Sequence, residues 1–178
     1  TPIDISPFDK GGGGWTQISQ MANGPAVMTC QCYYSADAID PKTGKPRTGE
    51  QPGIYDHIYR STDGGKTWGD FSIVMADKGS RPSDPVEFNR DSAFNETDIQ
   101  PMPDGTWVAV ARGTWRSSRG TVPGSVSFSK DRGRTWTKPE YVFMNGVPDL
   151  ALLPDGGLAC ATSGNKVHFS YDGGHTWS

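Results

Sequence analysis

The chain has 178 residues, a net charge of −3 and a mean hydropathy of −0.59. No stretch reaches the roughly 18 consecutive apolar residues of a membrane span, and no basic run of the kind that engages nucleic acid stands out. Glycine (23) and proline (14) together exceed a fifth of the residues without a collagen-like period, so the composition points to short strands separated by many turns.

The N-terminus, "TPIDISPFDK", has no basic segment followed by an apolar one, so it does not read as a signal peptide. Its Ile3 and Ile5 alternate, as in an edge strand. "GGWTQISQMANGPAVMTCQCYY" follows, two β-rich runs around a turn at Asn23–Gly24. Cys30 and Cys32 are two residues apart and share a strand face. With Cys160 they make no four-ligand set, so no metal site is expected. Buried thiols, or a bridge from Cys30 or Cys32 to Cys160, both fit, and the odd count leaves at least one thiol free. A polar insertion, "DAIDPKTGKPRTGEQPG", separates this hairpin from "GIYDHIYR", "STDGGKTW" and "FSIVMA".

The next unit opens with "NETDIQPMPDGTWVAVARGTW", turning at Pro103–Gly105, and continues through "GSVSFS", "SKDRGRTW" and "EYVF". The last opens with "VPDLALLPDGGLACATSG", turning at Pro154–Gly157, and ends in "NKVHFS" and "SYDGGHTW". Proline, aspartate and glycine between apolar, β-rich runs are strong turn signals. No segment has a helical period. Each unit therefore reads as strand, turn, strand, loop, strand, octet, strand, and the third stops where its fourth strand would begin.

The octets start at Ser61, Ser129 and Ser170, intervals of 68 and 41 residues, which fits a constant unit carrying loop insertions. Their chemistry is that of a hairpin turn. Glycine permits positive φ. The carboxylates of Asp63, Asp131 and Asp172 can accept bonds from their own turns' N–H groups. The indoles of Trp68, Trp136 and Trp177 are large apolar anchors for a neighbouring unit. Three carboxylates so placed are structural rather than a shared catalytic pair.

The octets match the S-x-D-x-G-x-T-W pattern of Asp-box (BNR) proteins, and across 12–178 the sequence resembles the sialidase superfamily of six-bladed β-propellers. The resemblance implies an all-β propeller of four-stranded antiparallel blades. About three blades are present, half of a ring, at roughly 12–77, 90–145 and 146–178. The chain 1–178 is then a partial propeller, completed by further blades of a longer chain or by a second chain. The resemblance also implies a glycan substrate or ligand, no cofactor, and a secreted, periplasmic or cell-surface location. The alternative is an Asp-box propeller that binds glycan or protein without chemistry.

At the end of the second unit remote from the octet, Glu96 falls nearly opposite Arg112 across the PDG hairpin. From the pattern alone this is a surface ion pair or a site. In the superfamily, a glutamate at this position polarises a tyrosine nucleophile, and an arginine at the other binds the sialic acid carboxylate. Arginine suits the task because its planar fork meets a carboxylate bidentately. The resemblance thus makes Glu96 the candidate catalytic residue and Arg112 the candidate substrate ligand. Asp98, on the same strand face as Glu96, is a second carboxylate or an ion-pair partner of Arg112. Trp115 and Arg116 follow in a loop at the same end, where an aromatic can stack on a sugar or pack on a neighbouring blade. "NET" at 95–97 also matches a glycosylation sequon. The third unit has "ATSGNK" where the superfamily has another arginine, with Lys166 supplying charge without the fork. Without the superfamily's acid and tyrosine, the 178 residues alone are expected to be inactive as a sialidase.

Overall fold

A computed structural model of the chain describes residues 16–20, 24, 26–33, 54–76, 94–113, 115–116, 120–121, 124–142 and 146–178. Among these there is no helix, and every strand pairing is antiparallel. The first sheet runs in the order β1 (Thr16–Gln20), β2 (Ala26–Tyr33), β3 (Ile54–Ser61), β4 (Gly69–Ala76). The second is built from β5 (Phe94–Pro101), β6 (Trp107–Gly113), β9 (Ser125–Ser129) and β10 (Glu140–Tyr141), paired in that order. Between β6 and β9, β7 (Trp115–Arg116) pairs with β8 (Gly120–Thr121). The third sheet is β11 (Pro148–Leu152), β12 (Leu158–Thr162) and β13 (Lys166–Ser170). Beyond β13, Ser178 already exchanges main-chain hydrogen bonds with Phe169.

The second sheet lies between the other two, and β6 shows why. "WVAVARG" has almost no polar residue, as expected of a strand covered on both faces. Successive side chains of a strand point to opposite faces. Trp107, Ala109 and Ala111 pack with Ile58, Val74 and Met75 of the first sheet. Val108 and Val110 pack with Leu150, Leu158, Cys160 and Trp177 of the third. The small alanines leave room for the bulky side chains opposite, which is how close packing is reached without voids. Each fully buried valine or isoleucine here contributes about 1.5–3 kcal/mol relative to exposure.

The octets make one hydrogen-bonded turn three times. In the first, Asp63 accepts from the Lys66 and Thr67 amides at 3.0 and 2.9 Å and from Thr67 Oγ1 at 2.6 Å. Ser61 Oγ donates to Asp63 at 2.8 Å and accepts from the Gly65 amide at 2.8 Å. Asp131 and Asp172 repeat the bonds to Thr135 and Thr176. Each indole donates to the carbonyl three residues back, Trp136 to Gly133 at 3.0 Å and Trp177 to Gly174 at 2.8 Å. So held, Trp136 packs on the cluster shared with the first sheet, and Trp177 on the cluster shared with the second.

A polar clamp reinforces the first of these junctions. The buried Arg60 donates to the carbonyls of Asp70 at 2.5 Å and Arg132 at 3.1 Å, and to Ser72 Oγ at 2.9 Å. Ser72 Oγ donates onward to the Gly133 carbonyl at 2.6 Å, so two side chains of the first sheet grip the second octet. Gly133 itself is required there. Its φ is +77°, and a Cβ would lie 2.9 Å from Ile58 and 3.0 Å from Trp107 and from the Arg60 guanidinium.

Two readings gain detail. Cys160 is a free buried thiol, so the bridge to Cys30 or Cys32 is not formed. Burial pushes it up to about 12, which keeps it protonated and unreactive. Trp115 and Arg116, expected in a loop, form the short strand β7 within the connection from β6 to β9, paired with Gly120 and Thr121. The strand expected from "TPIDISPF" and the polar insertion lie outside the described residues.

Gly133→Ala is expected to destabilise the full chain by about 1–3 kcal/mol more than Gly65→Ala, through overpacking at the sheet junction. At Gly65, among the described residues, a Cβ would meet only its own octet's Trp68, at 3.8 Å. Denaturant unfolding of both variants measures the difference; equal losses would contradict the junction.

The octet carboxylates also set an acid limit. Asp172 is held down to about 2 by the Thr176 hydroxyl and amide and by Ser170, against some burial. For Asp131 burial is the largest influence and acts upward, but the combined bonds from Thr135, Ser129 and Arg134 bring it to about 2. Carboxylates depressed in the folded state contribute stability that is full above about pH 4 and lost as pH falls through the folded value. The melting temperature is therefore expected to fall between pH 4 and 2, and Asp131→Asn with Asp172→Asn to flatten that fall while lowering stability at pH 7. An unchanged acid slope in the double variant would contradict this.

Candidate functional site

β6 runs from Trp107, which pairs with Ser129 at the start of the second octet, to Arg112 at the opposite end of the sheet. Arg112 pairs with Asn95, and Ala111 with Thr97, so Glu96 is an extra residue bulged out of β5. Its φ is 51°. That is left-handed backbone, uncommon for a residue other than glycine and enriched at functional sites. Bulges re-aim side chains, and here Glu96 Oε2 meets Arg112 Nη1 at 2.6 Å. The Arg112 side chain is 35% exposed and that of Glu96 14%, so the guanidinium keeps a solvent-facing surface while the carboxylate is sheltered. Arg112 Nε is buried without a hydrogen-bond partner among the described residues.

The residues that follow Glu96 are tied to both neighbouring sheets. Thr97 Oγ1 donates to Asp56 Oδ2, in β3 of the first sheet, at 2.5 Å. Asp98 Oδ2 accepts from the Leu150 amide of β11 at 2.6 Å, and its Oδ1 from the Ile99 amide at 2.7 Å. Asp98 is therefore buried between the second and third sheets, where its carboxylate satisfies main-chain donors.

Asp56 was not among the sequence-expected site residues. It is 1% exposed, and its Oδ1 has no hydrogen-bond partner among the described residues. Burial pushes the carboxyl up to about 7; the Thr97 bond acts against the rise and the charge of Glu96 adds to it. The signal in the sequence was an aspartate inside the β-rich run "GIYDHIYR", because aspartate is depleted in strands. The bulge at Glu96 had no such signal, since nothing in "NETDIQ" marks a left-handed residue.

Trp115 and Arg116, three and four residues after Arg112, form β7, with Trp115 opposite Thr121 and Arg116 opposite Gly120. Lys166, exposed, begins β13 opposite Thr162 at the end of β12. No group of three or more His, Cys, Asp or Glu among the described residues is placed to hold a metal. A cavity of about 410 Å³ opens at the octet end instead, lined by Met102, Phe128, Lys130, Glu140, Asp172 and His175.

No protein-family model and no curated protein matches the chain. Solved structures do. The fold is similar to that of a protein of unknown function from Dyadobacter fermentans, with a TM-score of 0.55, 18% identity, and coverage of 85% of this chain and 35% of that one. Two further matches are a sialidase (TM-score 0.44, 13% identity, 92% of this chain and 20% of that one) and a leech intramolecular trans-sialidase complexed with 2,7-anhydro-Neu5Ac (0.47, 16%, 93% and 24%). The chain thus spans about a third or less of the length of each protein.

The left-handed backbone at Glu96 makes a stability prediction. Glycine relieves strain of about 1–3 kcal/mol at such a position, whereas a β-branched residue adds to it. Glu96→Gly is expected to stay within about 1 kcal/mol of wild type despite losing the ion pair, and Glu96→Val to be clearly less stable. Denaturant titration ranks them; equal losses would place Glu96 in ordinary strand backbone.

Proposed function

We propose that the chain is part of a sialidase-like propeller and that Arg112 binds the carboxylate of an acidic sugar such as sialic acid. The observation that carries this reading is the Glu96–Arg112 pair, at the end of the sheet away from the octets. Glu96 holds one terminal nitrogen of the guanidinium at 2.6 Å, which fixes the fork, while part of the side chain stays open to solvent. A pre-oriented arginine is suited to meet a carboxylate bidentately. Glu96 is placed to act as the residue that polarises a nucleophile supplied from elsewhere in the protein, with Trp115, Arg116 and Lys166 framing the sugar. The protein would then act on glycans outside the cytoplasm.

The flank of the first sheet supports a larger ring. In the second octet the Gly133 Cβ position abuts the sheet before it, and in the third the Gly174 position lies 2.9 Å from Val108 of the sheet before it. In the first octet, among the described residues, the Gly65 Cβ position meets only its own Trp68, which is half-buried. A further sheet seated there, from the same polypeptide or a second chain, would give the first octet the cover that the other two have.

A second reading has its own support. The turn from β12 into the start of β13, Ser163–Lys166, carries no arginine. A propeller that binds glycan or protein without hydrolysing it would need only part of the superfamily's apparatus. Both readings are tested together. N-acetylneuraminic acid is expected to bind the protein through Arg112, with Arg112→Ala weakening binding at least about tenfold, the scale of one charged hydrogen-bonded contact. Arg112→Lys is expected to recover only part of it. In the complete protein, hydrolysis of a fluorogenic sialoside lost in Glu96→Gln favours the enzyme; binding without turnover favours the module. Binding indifferent to Arg112 would overturn the proposal.

A further inference from the structure

Asp56 is a costly residue in its position. Burying a carboxyl and leaving one of its oxygens without a hydrogen bond both cost stability, and among the described residues Asp56 shows both. Among the described residues its carboxyl accepts from the Thr97 hydroxyl, across the junction between the first and second sheets. Thr97 is the residue at which regular pairing resumes after the bulge, opposite Ala111. Slipping a strand by one residue exchanges the face of every side chain in it. In β5 a slip would carry Thr97 away from Asp56 and Asp98 away from the Leu150 amide. The Thr97–Asp56 bond therefore fixes the register at the residue next to Glu96, and with it the left-handed backbone that brings Glu96 onto Arg112.

We propose that Asp56 is a positioning residue for the Glu96–Arg112 pair, acting through the Thr97 hydroxyl. The role rests on the proposed ligand site only for its use in binding; the geometry is a property of the free protein. It also has an electrostatic side. Burial is the main cause of the rise at Asp56, and the charge of Glu96 on β5 adds to it. Within the first sheet the residues paired with Asp56 are Gln31 of β2 and Met75 of β4, neither of which titrates. As Asp56 ionises, Glu96 faces a second negative charge and its pairing with Arg112 must respond.

Carboxyl and guanidinium NMR titrations of the full chain, without ligand, test this. In wild type the Glu96 carboxyl and Arg112 Nε signals are expected to show an inflection near pH 7, where Asp56 titrates. Asp56→Asn is expected to abolish it. Thr97→Val is expected to shift both signals at every pH, and Thr97→Ser, which keeps the hydroxyl, to restore them. A stability readout follows from the same sign. A carboxyl raised in the folded state contributes relative stability that is full below its unfolded value and lost as pH rises through its folded one. Wild type should therefore lose stability relative to Asp56→Asn between pH 4 and 8.

Absence of the wild-type inflection, its persistence in Asp56→Asn, or a folded Thr97→Val with unshifted Glu96 and Arg112 signals would each overturn the proposal. Should Asp56→Asn fail to fold, the wild-type curve and the Thr97 pair still decide. If these couplings hold while the protein binds no acidic sugar, the functional reading falls and the positioning role stands.

Discussion

Burial of the second sheet on both faces is the constraint from which the rest follows. A strand with one free face can place polar residues there and tolerate a range of neighbours. β6 cannot, because its alternate residues enter two different cores. One face is small where the first sheet is bulky, and the other is branched where the third sheet offers Leu150, Leu158 and Trp177. The octets serve this arrangement. The second and third turns each aim an indole back at the preceding sheet, and the backbone of the second comes close enough there that Gly133 admits no Cβ.

The same sandwiching makes the candidate site possible. A glutamate in left-handed backbone is a local cost that only surrounding structure can sustain. Here β5 is tied on one side to Asp56 through Thr97, and on the other to the Leu150 amide through Asp98. Successive side chains of one strand thus reach opposite sheets, and the residue before them has nowhere else to go. The result is a carboxylate–guanidinium pair held still at the sheet's end, while the octets occupy the other end. Rigidity of that kind matters for ligand recognition because orientation fixed beforehand is not lost on binding.

The strand order, the hairpin turns and the turn role of the octets were legible in the sequence because each rests on local chemistry: alternation, Pro-Asp-Gly turns and a carboxylate accepting from its own loop. The nearness of Glu96 and Arg112 was legible too, since hairpin geometry fixes which residues face each other. What could not be read depends on contacts between sheets. Asp98 was expected as a second carboxylate or a partner of Arg112, and its carboxylate accepts from the Ile99 amide and from the Leu150 amide fifty-two residues away. Asp56 and Arg60 are charged residues in a β-rich run, and only the neighbouring sheet explains their burial. The bulge at Glu96 is likewise enforced from outside its own strand.

The central functional claim is that the Glu96–Arg112 end of the second sheet recognises a sugar through its carboxylate. Calorimetric comparison of N-acetylneuraminic acid with its methyl ester tests it most directly, because the ester keeps the sugar and removes the charge. The account predicts that the acid binds at least about tenfold more tightly, as expected for loss of one charge-assisted contact, and that the difference disappears in Arg112→Ala. Equal affinity of acid and ester for the wild-type protein would contradict it.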